Sequence, residues 1–179
     1  MSQQSKIIAE LEKAYKTEIA GHLFYTAAAG MITDEKGRNV FIHLAAEELQ
    51  HITVISSIAD SVKSGKGWMN YNEAVKGGAR ISTDALPIFP ERDALVARLK
   101  KNPTDLNAVA IAIESEEAAV DFYSTLLKDA ETAPEKVVLT TLLEMEKNHL
   151  KILRWESESL QNTGFWCGNM EYSVEKETD

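Results

Sequence analysis

The chain repeats itself at an offset of 98 residues. Shifted by that distance, residues 18–51 overlay residues 116–149 without a gap. Glu18 falls on Glu116, Ala20 on Ala118 and Phe24-Tyr25 on Phe122-Tyr123. Leu44 falls on Leu142, Glu48 on Glu146 and His51 on His149, and Ile55 follows on Leu153. A lone Glu-x-x-His is common by chance; a matched set of Glu, Phe-Tyr and Glu-x-x-His at one offset is not. The duplication limits the fold to two halves of the same local structure. Duplicating a packed unit preserves apolar positions, but it gives no reason to preserve Glu and His among them.

Apolar residues recur with a helical period in four segments, at about 5–32, 37–62, 103–130 and 135–160. Each is longer than the mean soluble helix and typical of a bundle. "TDEKG" breaks the first pair, and "ETAPEK" breaks the second, with Pro134 suited to a first helical turn. Asn102-Pro103 reads as the start of the third segment. Both breaks are short, so each pair should form an antiparallel hairpin, over 5–62 and 103–160. Residues 63–102 then form a crossover long enough to run along the bundle, with a short helix expected at Glu91–Lys101. The tail, 161–179, carries aromatics that should pack on the bundle or on a subunit partner. No strand alternation competes. The expected fold is all-α: one domain over 1–179, a four-helix bundle of two repeated hairpins.

Helical phase decides where the repeated polar residues point. Residues at i, i+3, i+4 and i+7 share a face. Around Glu48 that face holds Phe41, Leu44, His51, Ile52, Ile55 and Val62. Around Glu146 it holds Leu139, Leu142, His149, Leu150 and Leu153. Around Glu18 it holds Leu11, Tyr15, His22 and Tyr25. In the third segment, Glu114 and Glu117 share a polar face with Asn107, Asp121 and Lys128, which leaves Glu116 on the apolar stripe. The repeat selects the same residue independently. Glu47 and Glu144 fall off their stripes and read as solvated charges, and His43 reads as a surface or helix-contact residue.

Four carboxylates and two imidazoles therefore point into one core. An isolated buried carboxylate costs several kcal/mol or more, and the stripes offer no Lys or Arg to pair with it. Two divalent cations would balance the four carboxylates and leave two neutral imidazoles as ligands. A Glu from each of two helices plus Glu-x-x-His from each of the others is the pattern of di-iron and di-manganese carboxylate bundles. The expected ligands are Glu18, Glu48, His51, Glu116, Glu146 and His149, with Glu48 and Glu146 bridging. Oxygen-rich ligation with two imidazoles suits iron or manganese, at one or both positions, better than a thiolate-preferring metal. Tyr25 and Tyr123 lie two turns beyond Glu18 and Glu116, where their phenols can bond ligand carboxylates. His22, whose repeat partner is Val120, is a candidate extra ligand, proton donor or packed residue. The metal-free alternative is a pair of core histidines bonded to glutamates.

Composition narrows the function. Net charge is −9 and no basic patch stands out, which argues against nucleic acid. No apolar run approaches the roughly 20 residues of a membrane span, and "MSQQSKIIAELEKAYK" has no signal-peptide core, so a cytoplasmic protein is expected. The single Cys167 excludes an internal disulfide and a Cys-x-x-Cys motif.

The stretches "EIAGHLFY", "AAEELQHI", "EEAAVDFY" and "LEMEKNHL" resemble the rubrerythrin-like branch of the ferritin-like superfamily. The tail "GFWCGNMEYSVE" resembles tails in some of its members. The resemblance spans all four helices. It implies a ferritin-like bundle and a dinuclear iron centre that reacts with hydrogen peroxide or dioxygen in oxidative-stress defence. The sequence departs from rubrerythrin peroxidases twice. Ala119 stands where they carry an additional glutamate, one turn beyond the terminal ligand, and one cysteine cannot build a rubredoxin site. Electrons must then come from an external donor, a rubredoxin-like or other small redox protein. The six-ligand set is equally similar to ferroxidase centres, so iron oxidation for storage or detoxification is the second reading. A non-enzymatic helical bundle is the third. The crossover and tail favour a homodimer over a large cage.

Overall fold

A computed structural model describes residues 3–77, 86 and 94–168 of the chain. The described residues form six α-helices and no strand: α1 Gln3–Met31, α2 Glu35–Lys63, α3 Tyr71–Gly77, α4 Ala94–Lys101, α5 Asp105–Asp129 and α6 Ala133–Thr163. The all-α bundle expected from the sequence is the fold observed. Most of the crossover's middle, Glu91–Asp93 of the expected short helix, and the end of the tail lie outside the described residues.

Local chemistry sets the helix ends. Asp34 caps α2 by accepting the N–H groups of Lys36 and Gly37. Thr132 and Glu135 form a reciprocal capping box at α6, with Pro134 in the first turn as expected. The start of α5 differs from the sequence reading. Thr104, not Asn102, is the cap; its hydroxyl accepts the Asn107 N–H. The Asn102 carbonyl accepts the Thr104 N–H at 2.9 Å and the Asn107 side-chain amide at 2.7 Å, so the chain turns there and the helix starts two residues on. α6 ends at Gly164, whose φ of 76° is left-handed.

α1 packs along α2, and α5 along α6, as two antiparallel hairpins. α3 leans on α2 and α6, and α4 on α1 and α5. The sequence reading did not anticipate α3. Its Ala74 is buried, but seven residues are too few to show a helical period.

The core has two main apolar layers. One holds Phe24, Tyr25, Phe41, Leu44, Val109, Ile152, Leu153 and Leu99 of α4. The other holds Leu11, Ile55, Ile58, Tyr123, Val138, Leu139 and Leu142. The repeated Phe-Tyr pairs fall in opposite layers because α1 and α5 run in opposite directions. Between the layers, each long helix passes its repeated Glu through the middle of the bundle.

The described part of the tail packs on the bundle. Trp166 is buried, its ring lies edge-to-face on Phe41, and its Nε1–H donates to Asp105 at 2.7 Å. A Cβ on Gly37 would come within 2.3 Å of that indole, so the glycine is what lets the ring lie against α2. Phe165 stays exposed.

Candidate metal centre

Six glutamates are buried among the described residues. Two have ordinary partners. Glu135 belongs to the capping box, and Glu156 accepts the backbone N–H groups of Cys167 and Gly168, each at 2.8 Å. The other four, Glu18, Glu48, Glu116 and Glu146, are between 1% and 3% exposed and turn toward one another. His51 and His149 complete the cluster, their rings stacked with centroids 5.6 Å apart. All six candidate ligands from the sequence are thus brought together.

Their donor atoms form two groups. Glu18, Glu48, His51 and Glu146 make one, and Glu48, Glu116, Glu146 and His149 the other, with one donor atom per residue and all donors within 4.8 Å of one another. Glu48 and Glu146 belong to both. His51 Nδ1 lies 3.0 Å from Glu146, 3.3 Å from Glu18 and 3.4 Å from Glu48. His149 Nδ1 lies 3.4 Å from Glu48, 3.5 Å from Glu146 and 3.6 Å from Glu116. Gly21 of α1 lies alongside the Glu48 carboxylate, where a Cβ would make ordinary contact, 3.4 Å from Glu48 Cδ.

Several of these atoms have no hydrogen-bond partner among the described residues: Glu48 Oε2, Glu116 Oε2, Glu146 Oε1 and His149 Nδ1. Buried polar atoms are rarely left so. Orphaned carboxylate oxygens and an imidazole nitrogen facing one another are the donor set that divalent cations take. The residues fit a metal site.

Electrostatics give the metal-free cluster its character. Burial, then repulsion from Glu146 and Glu48, raises Glu18 well above the usual carboxyl range. Burial and Glu146 do the same to Glu116. Glu48 is buried too, but bonds from Glu18, His149 and His51 bring it well below that range. Burial and Glu48 push Glu146 upward, and His51 and His149 outweigh them, bringing it to about 2. Burial opposes charge on both imidazoles, yet His51 beside Glu146 and His149 beside Glu116 are raised well above 6.5. Without metal, protons do the work of cations.

The tyrosines reach across the bundle. Tyr25 donates to Glu116, and Tyr123 to Glu18. Each bonds the glutamate of the opposite repeat, because a residue seven positions on lies about 10 Å along its own helix. Burial raises both phenols well above 10, so they stay donors.

Three residues depart from the sequence reading or refine it. Glu47 is not a solvated charge: its side chain is 16% exposed and its Oε2 accepts from His149 Nε2–H at 2.8 Å. α2 faces α6 here, which its own stripe cannot reveal. Glu144 is exposed and pairs with Lys147. His43, expected as a surface or helix-contact residue, has its Nε2 3.4 Å from Glu47 on the same helix and so borders the site. His22 lies outside both donor groups; its Nδ1–H donates to the Ala45 carbonyl at 2.7 Å and ties α1 to α2. Glu114 and Glu117 are exposed and pair with Arg98 and Arg154.

The family model for rubrerythrin matches residues 10–156, from the third turn of α1 to about two turns short of the end of α6, and takes in all six clustered residues. The chain belongs to the rubrerythrin family. Family membership and the buried carboxylate–histidine cluster agree on a di-iron carboxylate protein. No curated protein and no solved structure matches the chain. Among the described residues, no helix is long and apolar enough to cross a membrane.

Proposed function

We propose that the protein is a rubrerythrin-like dinuclear iron oxidoreductase that reduces hydrogen peroxide or dioxygen, in cytoplasmic defence against oxidative stress. The observation that carries this reading is the pair of four-residue donor groups sharing Glu48 and Glu146. Glu48 and Glu146 would hold both ions, Glu18 and His51 one of them, and Glu116 and His149 the other. Iron at both positions is the assignment, with manganese the alternative at either. When bound, the two ions supply Lewis acidity and the electron pair that peroxide needs. Peroxide reduction also takes two protons and yields two waters.

The chain's own residues set the conditions. Tyr123 and Tyr25 fix the terminal carboxylates of Glu18 and Glu116 from opposite ends. The apolar layers on either side keep bulk water from the ions, which strengthens every electrostatic contact inside. One cysteine cannot build an iron–tetrathiolate site, and in this reading a rubredoxin-like or other small redox protein supplies the electrons. We place the protein in the cytoplasm as a homodimer.

Ala119 favours a second reading. It leaves the centre without the additional glutamate that the resemblance associates with peroxidase activity, and a ferroxidase for iron storage or detoxification would need only the six. The third reading is a non-enzymatic bundle. Iron-loaded protein, a chemical reductant and peroxide separate them. Sustained peroxide consumption supports the peroxidase. A single round of ferrous oxidation by dioxygen with no sustained peroxide turnover supports the ferroxidase. Failure to take up metal leaves the structural bundle.

A further inference from the structure

The two histidines differ behind the site. Both turn Nδ1 toward the carboxylates, so the proton that remains when Nδ1 binds a metal sits on Nε2. On His149 that N–H meets the Glu47 carboxylate at 2.8 Å, and Glu47 is itself backed by His43 at 3.4 Å. On His51, which is fully buried, Nε2 has no hydrogen-bond partner among the described residues. The repeat explains the difference. Glu47 aligns with Met145 at the offset of 98, so the chain has a methionine where symmetry would put the second carboxylate. Met145 is committed elsewhere: its sulfur accepts the Tyr71 hydroxyl at 3.4 Å, holding α3 against α6.

A carboxylate on the outer N–H of a ligating imidazole fixes the ring and its tautomer and makes the inner nitrogen a stronger donor. An imidazole with no acceptor gains neither effect, and its buried N–H carries a desolvation penalty. We propose that the two ion positions are inequivalent, with Glu47 the positioning residue that makes the His149 position the tighter and first to fill. This rests on the dinuclear reading above. It goes beyond that reading, because the six clustered residues are symmetric by type and give no order of loading.

The test is a titration of metal-free protein with Co2+, followed by visible absorption and by competition with a chelator. The wild type should fill in two resolved steps. Glu47→Leu should weaken the tighter step by about 10- to 100-fold and leave the looser one within about twofold. Glu47→Gln keeps a hydrogen-bond acceptor without the charge and should fall between. Met145→Leu should leave both steps in place, and Met145→Glu should tighten the looser step. Circular dichroism of each metal-free variant checks the fold. Two indistinguishable equivalents in the wild type would overturn the inference and leave the dinuclear reading intact. So would a Glu47→Leu variant that loses both steps equally or neither. Absence of Co2+ binding by folded wild type would overturn the dinuclear reading itself.

Discussion

Loading the centre with metal should expel about four protons per chain. In the metal-free protein, burial and mutual repulsion raise Glu18 and Glu116 well above the usual carboxyl range, so both hold a proton. Glu48 and Glu146 are ionised, the latter brought to about 2. Both imidazoles are raised well above 6.5 and carry charge. The cluster is then neutral: two carboxylates against two imidazoliums. Two divalent ions against four carboxylates and two neutral imidazoles are also neutral. The exchange is about two protons per ion. Apparent affinity should therefore rise by about two decades per pH unit, about 2.7 kcal/mol per ion, while those protons stay bound in the metal-free form. The assay is calorimetric titration in two buffers of different ionisation enthalpy, backed by indicator dye in weak buffer. Fewer than about one proton per ion, or affinity unchanged between about pH 6 and about pH 8, would refute the reasoning.

Three further outcomes follow from the same contacts. His51 and His149 bind more protons folded than unfolded, as do Glu18 and Glu116. The stability from the histidines is full below about pH 6.5 and that from the carboxyls below about pH 4.5, and each is lost as pH rises through the raised folded values. Glu146 acts oppositely, its contribution present above about pH 4.5 and lost as pH falls toward its folded value of about 2. Thermal melts should thus show metal-free protein losing Tm from neutral to alkaline pH while metal-loaded protein holds; parallel curves would contradict this. Tyr123→Phe leaves a Glu18 oxygen without its donor and should lower metal affinity by about tenfold in chelator competition, with little effect if the bond is idle. Gly37→Ala drives a methyl into the Trp166 indole and should destabilise by about 1–3 kcal/mol in urea melts, with the Trp166→Ala background removing most of that loss.

The candidate site was legible because duplication supplied an internal comparison. One occurrence of Glu116 among Glu114 and Glu117 is ambiguous; alignment with Glu18 and the helical phase each removed the ambiguity, and the exposed pairs to Arg98 and Arg154 account for the other two. Helix ends were legible where side-chain capping is local, as at Pro134, and shifted where two start signals competed, as at Asn102 and Thr104. What one strand of sequence cannot carry is contact between helices. Glu47 reads as surface on its own helix and becomes half-buried only when α6 lies against it. The crossing of Tyr25 to Glu116 and Tyr123 to Glu18 likewise depends on the antiparallel course of α1 and α5. A signal for Glu47 did exist. The offset that pairs every clustered residue with its own type pairs Glu47 with Met145, and a charge that breaks a functional repeat beside a repeated Glu marks a difference between the halves.

The central claim is that Glu48 and Glu146 are shared by two ions, one completed by Glu18 and His51 and the other by Glu116 and His149. Anaerobic titration of metal-free protein with ferrous iron tests it most directly. The account predicts two tight equivalents per chain, reduced in Glu116→Ala and unchanged in Glu117→Ala, whose exposed carboxylate pairs with Arg154. No tight equivalent in well-folded protein, or equal loss in both variants, would contradict it.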